Sequence, residues 1–132
     1  MISFIAALLL STAPAKPIER CPQWEPLIRK AGLPVKMFSY IAYRESRCLP
    51  KVIGKNAPGV PSDYGLFQIN GSWKTVTSQV CKTKYGDMKV LLSPTCNVRV
   101  ARYLYDHGGT GHWKGSSGAY NRKAKNAGTQ NP

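Results

Sequence analysis

The chain has 132 residues, enough for one domain that buries about two-thirds of the surface its unfolded form exposes. Nineteen Lys and Arg against six Asp and Glu leave a net charge of +13, which points to a polyanionic partner and says nothing about fold. Nucleic acid, anionic membrane and bacterial wall polymer all qualify; the basic residues are spread along the chain rather than gathered on one recognition helix, so specific DNA reading is weakly supported, and for an exported protein the bacterial envelope is the better match.

Residues 1–15, MISFIAALLLSTAPA, carry no charge, an apolar run from Ile2 to Leu10, and an A-x-A pattern ending at Ala15. They read as a signal peptide whose removal leaves Lys16 first, so a secreted, periplasmic or virion-carried protein is expected. The leader lacks the usual basic residue, which leaves a short anchor or a buried strand open as alternatives, and it is too short for a span of about 20 apolar residues. The four cysteines, Cys21, Cys48, Cys81 and Cys96, are even in number and include no C-x-x-C pair, which favours disulfides over zinc. Of the three possible pairings, Cys21–Cys48 with Cys81–Cys96 is favoured because each joins neighbouring predicted elements; such loops stabilise by about 3 kcal/mol each.

Trp24, Leu27, Ile28 and Ala31 fall at helical spacing, and Gly32 with Pro34 stops this first helix. A second helix is predicted over about 35–48. It places Phe38, Ile41, Ala42, Glu45 and Cys48 on one stripe, with Tyr40, Tyr43, Arg44 and Arg47 outside it. Residues 50–61 are dense in Pro and Gly and predict a loop or small hairpin. Residues 62–70, SDYGLFQIN, predict a short strand or ribbon that carries Asp63 beside Gly65. Ser93-Pro94 opens a helix reaching about His107, with Val100, Ala101 and Leu104 toward the core and Gly108-Gly109 as its end. A short helix begins near Ser116 or Ser117 and includes Ala119 and Tyr120. From Arg122 onward the tail RKAKNAGTQNP has no apolar period and is expected to be mobile. The domain is therefore placed at residues 16–121, with 122–132 as a basic tail, and its class is α+β, mainly α-helical, with a small β lobe.

Glycosidic cleavage needs a proton for the leaving oxygen and an anion or base to answer the positive charge that develops on the sugar. A carboxyl facing apolar neighbours keeps its proton toward neutral pH and can serve as general acid, which the helical stripe predicts for Glu45. Asp63 lies among Ser62, Tyr64, Gly65, Gln68 and Asn70, a polar setting that keeps a carboxylate ionised, and it is the natural partner anion. Glu19 and Glu25 are expected on an exposed helix or before it; Asp87 and Asp106 are the remaining acids. Glu45 could equally be a surface or ion-paired residue, and Asp63 a turn-former, on spacing alone.

The run Tyr43-Arg44-Glu45-Ser46-Arg47 followed by Ser62-Asp63-Tyr64-Gly65-Leu66-Phe67-Gln68-Ile69-Asn70 resembles the lysozyme-like superfamily. The Glu-Ser pair on a helix with a later GLFQIN is similar to soluble lytic transglycosylases, as is Gly118-Ala119-Tyr120-Asn121. SDYGLFQIN followed by Trp73 is similar to c-type lysozymes. The resemblance spans roughly residues 24–121 in matching order, and lysozyme is the type case of the two-carboxylate pattern. It implies a helical lobe and a small β-hairpin lobe flanking a glycan cleft, with Glu45 as general acid then base and Asp63 as nucleophile or stabiliser of the cationic sugar. Gln68, Asn70 and Trp73 line the cleft in that reading, Trp73 as an indole platform under a sugar. Tyr120 orients the Glu45 carboxyl, holds a sugar, or is a half-buried helix aromatic. Trp113 either covers the apolar side of Glu45 or is a plain core residue. Two departures are evident: Pro61 precedes Ser62 where c-type lysozymes usually carry a small hydroxyl residue, and the cysteines are not the usual four bridges.

His107 and His112 read as helix-end and loop residues, and no metal or cofactor is expected. Asn70-Gly71-Ser72 is a formal glycosylation sequon that would obstruct the cleft. The expected function is a monomeric muramidase hydrolysing the β-1,4 bond between N-acetylmuramic acid and N-acetylglucosamine in peptidoglycan glycan strands. The alternatives are a lytic transglycosylase giving 1,6-anhydro-muramyl products, and a non-catalytic cationic wall-binding or membrane-active protein. The presence of Asp63 tilts the expectation toward hydrolysis.

Overall fold

The computed structural model describes residues 16–127, so the signal-peptide expectation for residues 1–15 lies outside the described residues. Within them the fold is a set of five helices with one small sheet, the mainly helical α+β class the sequence predicts.

Pro22–Trp24 forms a 3-10 turn that runs into helix α1, Glu25–Lys30, started by Pro26 near its N-terminus and followed by Gly32 at φ +78°. Helix α2, Val35–Ser46, is shorter than predicted at its end: Arg47 and Cys48 both take left-handed conformations, φ 55° and 66°, and break the helix. The Cys21–Cys48 bridge ties that break to the start of α1, and the Trp24 indole N–H donates to the Cys48 carbonyl at 2.8 Å. The core stripe is as predicted at Phe38, Ile41 and Ala42, all fully buried. Tyr40, predicted to lie outside the stripe, is buried instead, because the last helix covers that side of α2 and sets Tyr120 against it, ring centroids 5.8 Å apart.

The ribbon predicted over residues 62–70 is two strands. β1 (Ile53–Gly54), β2 (Asp63–Tyr64) and β3 (Ile69–Asn70) pair antiparallel in the order β1-β2-β3. The turn between β2 and β3 needs Gly65. Its φ is +75°, and a Cβ there would stand 2.3 Å from the Leu91 carbonyl oxygen and 2.4 Å from Asn97 Nδ2.

Helix α3, Lys74–Cys81, has no counterpart in the sequence reading. Helix α4, Pro94–Gly108, has the predicted start: the Ser93 hydroxyl accepts from the Cys96 amide, and Pro94 occupies the first turn. Val100, Ala101 and Leu104 are buried as expected. Cys81–Cys96 binds α3 to α4, so both favoured disulfides are present. A Gly111–Trp113 3-10 turn leads into helix α5, Lys114–Asn126. This corrects the tail expectation. Residues 122–126 are helical and Ala124 is buried, since α5 packs along α2 and Lys123 reaches Glu19 at 2.8 Å. Basic composition hid the single buried alanine, Ala124, and the rest of the expected tail, beyond residue 127, lies outside the described residues.

The sheet is small, and a buried asparagine helps to fix it to the helices. Asn97 on α4 is fully buried; its Nδ2 donates to the carbonyls of Tyr64 (2.8 Å) and Leu91 (2.9 Å), and its Oδ1 accepts from the Phe67 amide (2.9 Å). Phe67 then packs into an aromatic cluster with Phe38 and Trp113, centroids 5.6 and 6.1 Å away.

Candidate active site

Glu45 projects from the last turn of α2, next to the point where the helix breaks, and is half-buried. Its neighbour Ser46 is buried, and the Ser46 hydroxyl donates to the Leu66 carbonyl at 2.8 Å. The helix end that carries the acid is thereby bolted to the β2–β3 turn. Glu45 Oε2 accepts a hydrogen bond from the hydroxyl of Ser116 on α5 at 2.6 Å. Burial pushes the Glu45 pKa above the ordinary carboxyl value. The Ser116 hydrogen bond pulls it down, the negative charge of Asp63 raises it, and the Arg44 charge lowers it. Desolvation prevails, which is the condition for a carboxyl that holds its proton toward neutral pH.

Asp63 occupies the middle strand, where the register sets Asn70 of β3 opposite it on one side and Gly54 of β1 on the other. Asn70 Nδ2 donates to Oδ1 at 2.9 Å, and Asn56, just past β1, donates from Nδ2 to Oδ2 at 3.2 Å. Both amides also donate to the Pro61 carbonyl, at 3.0 and 2.8 Å. The backbone carbonyl of residue 61 thus orients the two amides that face the carboxylate, whichever side chain stands there. Each oxygen of the Asp63 carboxyl accepts one amide donor. The influence of Asp63 on Glu45 and on His112 puts the three groups in one neighbourhood.

The other expected site residues divide. Asn70 supports Asp63, with its side-chain carbonyl accepting from the Ser72 amide at 3.0 Å; this internal use also occupies the sequon asparagine. Gln68, at φ 49°, spends its Nε2 on the carbonyls of Val52 (3.1 Å) and Gly65 (3.0 Å), holding the hairpin closed. Trp73 stands at the start of α3 with 36% of its surface exposed and its ring beside His112. Trp113 is a core residue: 2% exposed, packed on Phe38 and Phe67, with its indole N–H donated to the Phe67 carbonyl at 2.9 Å. The hydroxyl that bonds the Glu45 carboxyl is that of Ser116, one helical turn before Tyr120. Tyr120 is buried against Tyr40, and its hydroxyl has no hydrogen-bond partner among the described residues. Glu25, expected to be exposed, is buried and held by Arg20 and by the Ser39 hydroxyl at 2.7 Å. The Arg20 hydrogen bond lowers its pKa, which marks a structural ion pair.

Sequence reasoning missed Ser116 and Asn56. Ser116 is 71 residues from Glu45, with no periodic signal linking them; Asn56 lay in a segment read as a loop or small hairpin with no site residue in it. A cavity of about 840 Å³, lined by residues including Ile18, Glu25, Leu33, Tyr105 and Tyr120, contains none of the candidate site residues except Tyr120 and lies away from the carboxyl pair. Residues 23–131 match the family described as Transglycosylase SLT domain. No curated protein and no solved structure matches the chain.

Proposed function

The chain belongs to the SLT transglycosylase family of the lysozyme-like superfamily, and on that premise we propose that it is a lytic transglycosylase cleaving peptidoglycan glycan strands with Glu45 as acid and then base. The observation that carries the proposal is the Glu45 carboxyl: half-buried, its pKa raised mainly by desolvation, and oriented by Ser116. In the first step Glu45 gives its proton to the glycosidic oxygen as the bond from the muramyl C1 breaks, and positive charge spreads over C1 and the ring oxygen. The Asp63 carboxylate, held by Asn56 and Asn70, stabilises that charge. Glu45, now an anion, takes the proton of the muramyl 6-hydroxyl while O6 bonds to C1. The acid is restored, no water is consumed, and the fragment ends in a 1,6-anhydro sugar.

A second reading has a specific observation behind it. The double amide clamp on Asp63 keeps a second carboxylate in place, as a hydrolase requires, with water replacing the 6-hydroxyl. The sequence alone tilted toward this muramidase outcome; the family match weighs the other way. Mass analysis of digested peptidoglycan separates the two. Anhydro ends on most fragments are the expected result; reducing ends without anhydro product overturn the transglycosylase reading, and an intact wall overturns both. The same reading gives the protein a place outside the cytoplasm, supported by two disulfides, which persist in oxidising compartments.

A further inference from the structure

We infer that His112 contacts the glycan, hydrogen-bonding a hydroxyl or acetamido group of the sugar that packs on Trp73 beside Asp63. The inference rests on the glycan-cleaving reading of this site and names a contact which that reading does not require.

His112 lies in the 3-10 turn Gly111–Trp113, four residues before the serine that orients Glu45. Its ring is fixed on two sides by aromatic neighbours. Trp113, itself anchored in the core, meets it edge-on with centroids 5.0 Å apart, and the half-exposed Trp73 ring stands 6.1 Å away at a tilt of 58°. Asp63 is near enough for its charge to act on the imidazole. A half-buried polar ring in such a place normally finds a protein partner. Neither ring nitrogen of His112 makes a hydrogen bond with a described residue, and neither is sealed from solvent as an unsatisfied buried atom.

His107 shows the contrast within the same molecule. Its Nδ1 is paired with the Tyr103 carbonyl at 2.7 Å, and its ring stacks on Tyr103 at 4.0 Å. That histidine is satisfied by its own helix, whereas His112 is held in position with both nitrogens unspent.

Burial pushes the His112 pKa below the ordinary histidine value, with the Asp63 charge acting in the opposite sense. A neutral imidazole offers one donor and one acceptor, which suits the hydroxyl and amide groups of a sugar better than the anionic groups of wall polymers. Beside an exposed indole it makes a polar edge next to a flat apolar face, the combination a pyranose ring presents in complement.

The test uses the full chain with Glu45→Gln, so that ligand is bound and not cleaved. N-acetylglucosamine tetramer is titrated while the ring resonances of both histidines are followed by NMR. Large shifts at His112 with little change at His107 are expected. His112→Ala in that background should weaken tetramer binding about tenfold, the worth of one hydrogen bond of about 1.4 kcal/mol. His112→Gln, which keeps a donor and an acceptor, should recover part of the loss, and Tm reports whether either variant is folded. Unshifted His112 resonances on saturation, or tetramer binding by a folded His112→Ala variant within twofold of its parent, would overturn the inference and leave the proposed function standing. Failure of the Glu45→Gln parent to bind either tetramer or peptidoglycan overturns the glycan reading of the site and this contact with it.

Discussion

At the scale of single residues, Glu45 is a carboxyl whose folded surroundings favour its protonated form. The sign of the consequence follows from linkage. Below the unfolded-state value both states carry the proton and stability is indifferent; as pH rises past it, the folded state binds more protons than the unfolded chain and stability falls until the raised folded value is passed. Glu45→Gln should therefore cut wall-cleaving rate by about 100- to 10,000-fold or more and raise Tm at pH 7 while leaving it nearly unchanged at pH 3. Thermal melts at the two pH values, beside product release from peptidoglycan, check both halves. Ser116 lowers the Glu45 pKa, so Ser116→Ala should move the basic limb of the rate profile to higher pH and also reduce kcat, because the carboxyl loses its orienting bond. An unmoved limb would show that the hydroxyl does not touch the titrating group. The helical stripe foreshadowed the partial burial of Glu45, although spacing alone left a surface or ion-paired residue equally open. Asp63 was legible only in company with its motif, since an aspartate before Tyr-Gly is ordinary turn chemistry. Ser116 was hidden by being an ordinary serine near a helix start.

At the scale of elements, the helices that announced themselves did so through caps and apolar period. Helix α3 did not, since KTVTSQVC is rich in β-branched and hydroxyl residues and has no side-chain cap. It forms because α4 supplies a surface for Thr77, Val76 and Val80, and because Cys81–Cys96 pins its end. The strands, two residues each, were visible only as one ribbon over residues 62–70 and a loop or small hairpin before it. Their placement depends on Asn97, which sequence patterning would class as an odd polar residue in a core stripe. Asn97→Ala should leave the Phe67 amide and the Tyr64 and Leu91 carbonyls without partners, at a cost of at least about 2 kcal/mol. Chemical denaturation measures it, and a loss below about 0.5 kcal/mol would show that water replaces the amide. Because β2 also carries Asp63, activity in the surviving folded fraction should drop as well.

At the scale of the whole molecule, the charge of +13 acts on encounter rather than on the chemical step. Raising salt from about 20 to 500 mM compresses the screening length several-fold. The rate on intact anionic wall should fall with it, while binding of a neutral glycan oligomer to Glu45→Gln stays level. Equal salt sensitivity in both assays would place the charge effect in the cleft itself. The fold class and the disulfide pairing were readable from composition, cysteine spacing and helical period, since these depend on local chemistry. The burial of Tyr40, Glu25 and Ala124 was not, because it depends on which helix lies across which, a matter decided between distant segments.

The Ser46 hydroxyl, fastened to the Leu66 carbonyl one residue after the acid, has a mechanical consequence. A two-lobed enzyme can close like jaws only if the hinge lies behind its reactive groups, and here the rivet passes beside them. The lobes cannot swing apart at that end without tearing a buried bond. Under the proposed function, the acid therefore keeps its place against the β2–β3 turn while the sugar polymer binds.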